Sequence, residues 1–212
     1  MDKKETKHKL LWIIIAIVVV LFVGGGGTGY YFYHQQQVAK AKAIAVAIEK
    51  RAKIIKQENK YDENFRNALG YLTTAFEDTK TVADGYVQIW NDAIFDPVGA
   101  IAGPDFTVTQ DFNEAIALKT EDFKEDGSLD SMDEDNKILK EAMASLGEPP
   151  KKFTDVASKL SEAYGKFQTY YSLAETPSGS FNSYKSQTDG LKSEIDSATN
   201  DISVSIPKIP SK

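Results

Sequence analysis

Apolar residues recur every three or four positions through the middle of the chain, which is the spacing of one helix face. The stripe is widest before the first proline, Pro97, where a second run follows every seven residues beside the first. Its members are Tyr61, Phe65, Leu69, Leu72, Phe76, Thr79, Ala83, Tyr86 and Trp90, with Ala68, Ala75, Val82 and Ile89 in the second run. A stripe this wide is typical of a helix packed in a bundle. It predicts one long helix over residues 35–95, weakened locally by Gly70 and Gly85.

The same spacing predicts four more helices after Asp96-Pro97 ends the first one. They are expected at residues 109–123 and 131–146, and with inward stripes over 153–174 and 181–202. Capping-box spacing marks the start of two of them, through Asp111 with Glu114 and Ser131 with Glu134.

The inward stripe of the fourth helix decides which of its tyrosines is exposed. Its predicted members are Phe153, Val156, Leu160, Tyr164, Phe167, Tyr171 and Ala174, which leaves Tyr170 outside the stripe as an exposed contact candidate. No segment alternates at period two for long enough to indicate a sheet. The predicted fold class is all-α: an antiparallel helical bundle framed by three long helices, with two shorter ones on the remaining side.

A different pattern begins the chain, where residues 10–33 carry no charge and follow four lysines. This length spans a bilayer as a helix, and the lysines are expected to stay in the cytoplasm. Trp12, Tyr30, Tyr31 and Tyr33 are placed as interface anchors. A cleaved signal peptide is the alternative, but Ala39-Lys40-Ala41, the small-residue site, lies far behind the apolar core.

These patterns divide the chain into five parts. They are a cytoplasmic segment 1–9, a transmembrane anchor 10–33, a basic helical stalk 34–60, an extracytoplasmic bundle 61–205 and an extended, proline-containing tail 206–212. The expected location is the cell membrane, with a single span. Gly25 and Gly29 have GxxxG spacing, which either joins two membrane helices or marks a soft membrane exit.

Charge is split unevenly along the chain and limits the partners. Residues 1–60 hold 11 Lys+Arg against 4 Asp+Glu, and residues 61–212 hold 14 against 27. The acidic part argues against nucleic-acid binding, because phosphate contacts need Lys and Arg. The basic stalk either contacts anionic membrane lipid or wall polymers, or is simply solvated.

Catalytic and metal chemistry find little support in the residues. Cysteine is absent, and the two histidines, His8 and His34, lie before the anchor and at its outer edge. Histidine-based triads and zinc sites are therefore excluded from the bundle. We predict no enzyme activity and no cofactor, and the oligomeric state stays open.

The strongest metal motif is an acidic stretch between two predicted helices. Asp122, Asp126, Asp130 and Asp133 fall at EF-hand positions one, five, nine and twelve. Lys124 occupies the third position, where an oxygen ligand is needed. The stretch is either a solvated helix connection or a weak calcium loop.

The connection after the first helix is apolar and rich in glycine. Val98, Ile101 and Phe106 lie in or just after this segment, residues 97–104. They form either an exposed contact tip or a cap packed onto the bundle.

Three segments of the bundle carry a resemblance to a known group of proteins. They are WNDAIFD (residues 90–96), DFNEAI (residues 111–116) and the stretch from Glu148 to Phe181. Together with the Lys-rich start, the single anchor and the Cys-free helical exterior, they resemble membrane-anchored surface proteins of Gram-positive prophages. The resemblance implies superinfection exclusion, in which a lysogen's surface protein stops the DNA of related phages from entering the cell. It supplies no signature residue.

Three functional hypotheses follow. The first is a surface-displayed module that binds a protein, either a phage tail or injection component or a host envelope protein. The second is a structural or assembly component of a cell-envelope complex, recognised through its anchor. The third is an acidic, calcium-dependent adhesin, which depends on the stretch 122–133 alone.

Overall fold

The computed structural model describes residues 28–96 and 98–209, and this part of the chain contains five α-helices. They are α1 (Thr28–Phe95), α2 (Phe112–Glu125), α3 (Ser128–Ser145), α4 (Thr154–Glu175) and α5 (Phe181–Ser205). A 3-10 turn, Lys151–Phe153, precedes α4. The mostly helical fold is confirmed, and α1 continues through Gly70 without a break.

The chain divides into two units, residues 1–53 and 54–212. In the first unit, the side chains of residues 39–53 are all exposed, the basic ones included. No described helix is long and apolar enough to cross a membrane. Most of the predicted anchor, with Trp12 and Gly25, lies outside the described residues, and from Thr28 onward the backbone is helical.

The core of the second unit is built on the predicted stripe of α1. All thirteen residues named for its two runs are buried. Eleven of them, all but Thr79 and Ile89, belong to one cluster with side chains from each of the other helices, among them Phe123, Leu139, Phe167 and Ile195. The tail after Ser205 is not helical, but Ile206 and Ile209 pack against this core.

Contacts between helices give their directions. Tyr86 of α1 contacts Thr120 of α2 (Oη–Oγ1 3.0 Å), and Asp78 of α1 contacts Ser131 of α3 (Oδ2–Oγ 2.9 Å). The later residue of α1 thus meets the earlier helix, so α2 and α3 follow one another antiparallel to α1. The rings of Tyr61 and Phe153, then Phe76 and Tyr170, show that α4 runs parallel to α1. Trp90 with Tyr184, then Asp84 with Lys192, make α5 antiparallel. The second unit is therefore a helical bundle in which α1, α4 and α5 each form one side. The two short helices α2 and α3 together form the remaining side, as predicted.

Of the two predicted capping boxes, the first forms its N-cap but not its return bond, because the Glu114 side chain accepts from Thr109, and the second is wrong. Asp111 Oδ1 accepts from the N–H groups of Asn113 (2.8 Å) and Glu114 (3.1 Å), as an N-cap does. Helix α3 instead begins at Ser128, after Gly127 in the left-handed conformation. Ser131 is thus inside the helix, and its hydroxyl donates to Asp78.

The predicted stripe of α4 is displaced by one residue at two positions. Ala163 and Tyr170 are buried, while Tyr164 and Tyr171 are half-buried at its edge. The prediction that Tyr170 is exposed is therefore wrong. Its hydroxyl has no hydrogen-bond partner among the described residues, whereas Tyr171 donates to Asp133 Oδ1 (2.6 Å).

The connection between α1 and α2 contains a small sheet that the sequence did not predict. Strands β1 (Ala100–Ala102) and β2 (Thr107–Thr109) form an antiparallel hairpin, in which Ala100 pairs with Thr109 and Ile101 with Val108. Its inner residues Ala100 and Ala102 pack with Ile89, Ala93 and Ala115, in a cluster separate from the main core. The hairpin is thus fixed to the ends of α1 and α2.

Candidate contact surface at the hairpin end

The chain reverses direction at the end of α1 through a turn that needs glycine. Asp96 Oδ1 accepts from the Val98 N–H (2.8 Å), and Asp96 O accepts from the Gly99 N–H (3.0 Å). Gly99 has φ +89°, and a Cβ there would lie 2.5 Å from the carbonyl oxygen of Thr109. Only glycine fits this backbone without strain. Its lack of a side chain lets the start of β1 lie close to Thr109 at the end of β2.

The hairpin separates its apolar residues onto two faces. Ala100, Ala102 and Thr109 are buried, while Ile101 and Val108 are directly opposed on the outer face and 53% and 55% exposed. The apolar connection is therefore packed at its alanines and exposed at its larger residues, and a contact role for the exposed ones stays a prediction. The alanines cap the bundle, and the larger side chains face solvent.

Phe106 is the most unusual residue of the hairpin. Its N–H donates to Gly103 O (3.0 Å), which closes the turn between the strands. It has φ +51°, and it is the one non-glycine residue with positive φ among the described residues. Its side chain is 78% exposed. The left-handed conformation costs an L-residue about 1–2 kcal/mol, and an exposed ring gains no burial in return. Nothing in the fold explains a phenylalanine here.

An aromatic cleft lies at the same end of the bundle, where α1 ends and α2 and α5 begin. Its volume is about 340 Å³, and its larger lining residues are Trp90, Ile94, Phe95, Phe112 and Phe181. Trp90 stacks on Phe112 (ring centroids 6.0 Å apart), and Phe95 meets Phe181 edge-on (5.7 Å). Phe95 is 63% exposed. We call the exposed loop and hairpin residues Val98, Ile101, Phe106 and Val108 the hairpin surface, and this neighbouring site the aromatic cleft.

The chain segment that carries most of these apolar residues has acidic side chains and no basic ones. Residues 81–118 contain no Lys, Arg or His, and their acidic members are Asp84, Asp92, Asp96, Asp105, Asp111 and Glu114. Asp84 lies further down α1 and pairs with Lys192 Nζ (2.8 Å). Glu114 Oε2 accepts from Thr109 Oγ1 (2.6 Å), which ties the start of α2 to β2. The segment from the last turns of α1 to the first turns of α2 is therefore apolar and negatively charged.

The three predicted tip residues are brought together here, and the structure adds others that sequence reasoning missed. Val98, Ile101 and Phe106 are all exposed, as are Phe95 and Val108. Phe95 was missed because it lies outside the α1 stripe. Val108 was missed because Thr107–Thr109 alternates over only three residues. A weak signal did exist, since Ile101 and Val108 flank the turn residues Gly103 and Pro104.

The acidic stretch proposed as a calcium loop has a different backbone. Asp122 lies in α2, Asp130 and Asp133 lie in α3, and only Asp126 and Gly127 separate the helices. Hydrogen bonds from Ser128 hold the pKa of Asp126 below its usual range. An EF-hand needs a twelve-residue loop, which this stretch does not form. Among the described residues, no group of three or more acidic or histidine side chains is placed to hold a metal ion.

One pair of carboxylates lies at a helix contact. Partial burial and the neighbouring Asp78 carboxylate raise the pKa of Asp135, which joins α3 to α1 at this point. The Ser131 hydroxyl donates to the same Asp78 side chain. The stability of the fold should therefore depend on the protonation of Asp135.

Comparison with known proteins adds no relative. No protein-family model matches the chain, and neither a curated protein nor a solved structure is significantly similar to it. Function must therefore be argued from the geometry of the chain itself.

Proposed function

We propose that this chain is a membrane-anchored, extracytoplasmic protein-interaction module, and that the hairpin surface and the aromatic cleft are its contact site. The lysine-flanked, uncharged residues 10–33 support a single span with the N-terminus inside. The second unit then stands outside the cell. Its acidic, Cys-free helical bundle fits an extracytoplasmic domain of a Gram-positive surface protein.

Phe106 is the observation that carries this proposal. A residue that strains the backbone and leaves its ring in water contributes little to folding, which favours a role in contact with a partner. Aromatic residues are enriched at protein contacts, where they bury a large area in the partner. The outer face of the hairpin, with Ile101 and Val108, extends the apolar area beside it.

We propose further that the partner is a component of phage DNA injection, and that the protein acts in superinfection exclusion. The resemblance to prophage surface proteins supports this role. A tethered binding module also suits it, because the anchor keeps the contact site where injection occurs.

A phage challenge tests the proposal. We would express the full chain in a susceptible Gram-positive host and measure plaque formation and phage adsorption together. The expected result is loss of plaques with unchanged adsorption, since the block acts after the phage has attached. Phe106→Asn should restore plaques, because asparagine accepts the left-handed backbone and removes the ring.

Val204 supplies the matched control. It is 85% exposed near the end of α5, about 35 Å along that helix from Phe181 at ~1.5 Å per residue. Val204→Asn should leave exclusion intact. Equal protection by wild type and Phe106→Asn would show that the hairpin surface is not the contact site. Unchanged plaques across a broad panel would remove the exclusion role and favour an envelope-assembly component.

A further inference from the structure

We infer that the hairpin surface and the aromatic cleft together bind a cationic amphipathic segment of another protein. This inference rests on the proposed function and adds the chemistry of the partner. Its basis is the charge around the apolar residues. Six acidic side chains lie between residues 81 and 118. Among the described residues, only Asp84 of these six has a basic partner within 4.0 Å. Asp96, Asp105 and Asp111 are exposed.

The aromatic rings favour the same partner. Phe95 and Phe106 are largely exposed, and the face of an aromatic ring attracts Lys and Arg cations electrostatically. The carboxylates beside them attract the same cations. A leucine or phenylalanine of the partner would occupy the aromatic cleft, whose walls are the Trp90–Phe112 stack and the Phe95–Phe181 pair. Helices that carry such anchors at spacings of three and four residues dock in apolar grooves of this kind.

The two parts of the site lie close enough for one segment. Phe95 and Val98 are three residues apart, and Val108 and Phe112 are four apart, so each pair lies within about 14 Å at ~3.5 Å per residue. A helix of about 15 residues is roughly 22 Å long. Such a helix reaches from the aromatic cleft to the hairpin surface.

Charge argues against the two other occupants of an apolar surface. An anionic bilayer would bring its head groups close to the exposed carboxylates of Asp96, Asp105 and Asp111, and the like charges would repel each other. A second copy docked through the same surface would place like charges opposite each other about the two-fold axis. A partner with basic edges meets neither obstacle.

Peptide binding tests the inference directly. The protein is the full chain in neutral phosphatidylcholine nanodiscs, with Trp12→Phe so that Trp90 is the only indole and its emission reports on the cleft. The probe is a synthetic amphipathic helix of about 15 residues with leucines on one face and lysines on the other. A second peptide carries glutamates in place of the lysines.

The expected result is binding of the lysine peptide with a shift in Trp90 emission. Phe106→Asn should weaken it by about tenfold, as loss of a central aromatic contact does. Asp105→Asn should weaken it by about threefold and reduce its salt dependence, because one charge contact is lost. Val204→Asn and Asp201→Asn, near the far end of α5, are the matched controls and should bind as wild type does.

Each of the following results would overturn the inference. Equal binding by every variant would show general attraction to an acidic chain, and equal binding of the glutamate peptide would show an apolar site without charge selection. Phe106-dependent binding to phosphatidylglycerol vesicles would assign the surface to lipid. Phe106-dependent self-association would assign it to a second copy. If the lysine peptide does not bind while Phe106→Asn still abolishes phage exclusion, the inferred cationic character of the partner is wrong and the proposed function stands. If the peptide binds but no phage is excluded, the exclusion role fails alone.

Discussion

The α1 stripe and the hairpin end are both rich in apolar residues, yet they use them in opposite ways. Between residues 61 and 90, every residue of the predicted stripe is buried, and the rings of Phe76 and Tyr86 each meet a ring of another helix. At the hairpin end, Phe95, Phe106 and Val108 face solvent. Apolar character alone does not identify a core. Its period and the presence of a covering element decide whether a residue stabilises the fold or remains free for a partner.

The largest expected effect separates these two regions. Phe76→Ala should lower the free energy of unfolding by about 3–5 kcal/mol, because it leaves a cavity in the core. Val108→Ala should lower it by less than about 1 kcal/mol, since this side chain is half exposed and covers little. Urea unfolding of the full chain in mild detergent, followed by circular dichroism, measures both. A loss at Val108 as large as that at Phe76 would make the outer hairpin face part of the core.

Two glycines inside α1, Gly70 and Gly85, sharpen the comparison further, because the same substitution should change stability in opposite directions at the two positions. A Cβ at Gly85 would lie 2.5 Å from Cζ of Phe123, so Gly85→Ala should destabilise by about 1–3 kcal/mol. Nothing lies within 4 Å of a Cβ at Gly70, so Gly70→Ala should stabilise by about 0.5–1 kcal/mol through helix propensity. Thermal unfolding compares the two variants. Stabilisation by both would mean that the Phe123 ring does not pack on Gly85.

Neighbouring tyrosines on α4 give a smaller contrast. Tyr170→Phe should stabilise the fold by about 1 kcal/mol, because it removes a buried hydroxyl that has no partner among the described residues. Tyr171→Phe should destabilise it by about 0.5–1.5 kcal/mol, since its hydroxyl donates to Asp133. Burial and this hydrogen bond raise the pKa of Tyr171 to about 12. The absorbance of tyrosinate in an alkaline titration checks that shift, and destabilisation by Tyr170→Phe would show that its hydroxyl is satisfied.

The smallest effect depends on pH. Burial and Asp78 raise the folded-state pKa of Asp135, so its protonated form favours folding. That stabilisation is fully present below the unfolded pKa near ~4 and is lost as pH rises through the folded value. Asp135→Asn should therefore stabilise at pH 7 by less than about 1 kcal/mol, because the carboxylate is only partly buried and solvent screens its repulsion with Asp78. The difference should vanish in melting curves recorded near pH 3, and a gain that persists there would point to another cause.

The sequence predicts the bundle well because a helix face repeats over many turns. The α1 stripe contains thirteen positions at consistent spacings, so an error at one position does not change the face. The adjacent pairs Ala163-Tyr164 and Tyr170-Tyr171 are harder, since either member fits a spacing of three or four. Side-chain size favours Tyr164, but Ala163 is the fully buried member of its pair.

The hairpin and the start of α3 are less predictable, for three physical reasons. Each strand has three residues, which is too short for alternation to be recognised. The start of α3 depends on the left-handed backbone of Gly127, and this glycine competes with the capping signal at Ser131. The strain at Phe106 depends on a turn closed by a hydrogen bond to Gly103, and no pattern of residue types reports a φ angle.

Unfolding of the Phe106→Asn variant tests most directly whether this end of the molecule is kept for contact and not for folding. The measurement is the free energy of unfolding of the full chain, wild type against variant, from urea titrations in the same detergent. We expect the variant to be more stable by about 1 kcal/mol, because asparagine adopts the left-handed conformation more easily and no packing is lost. A loss of more than about 1 kcal/mol would show that the Phe106 ring supports the fold, and would contradict a surface reserved for a partner.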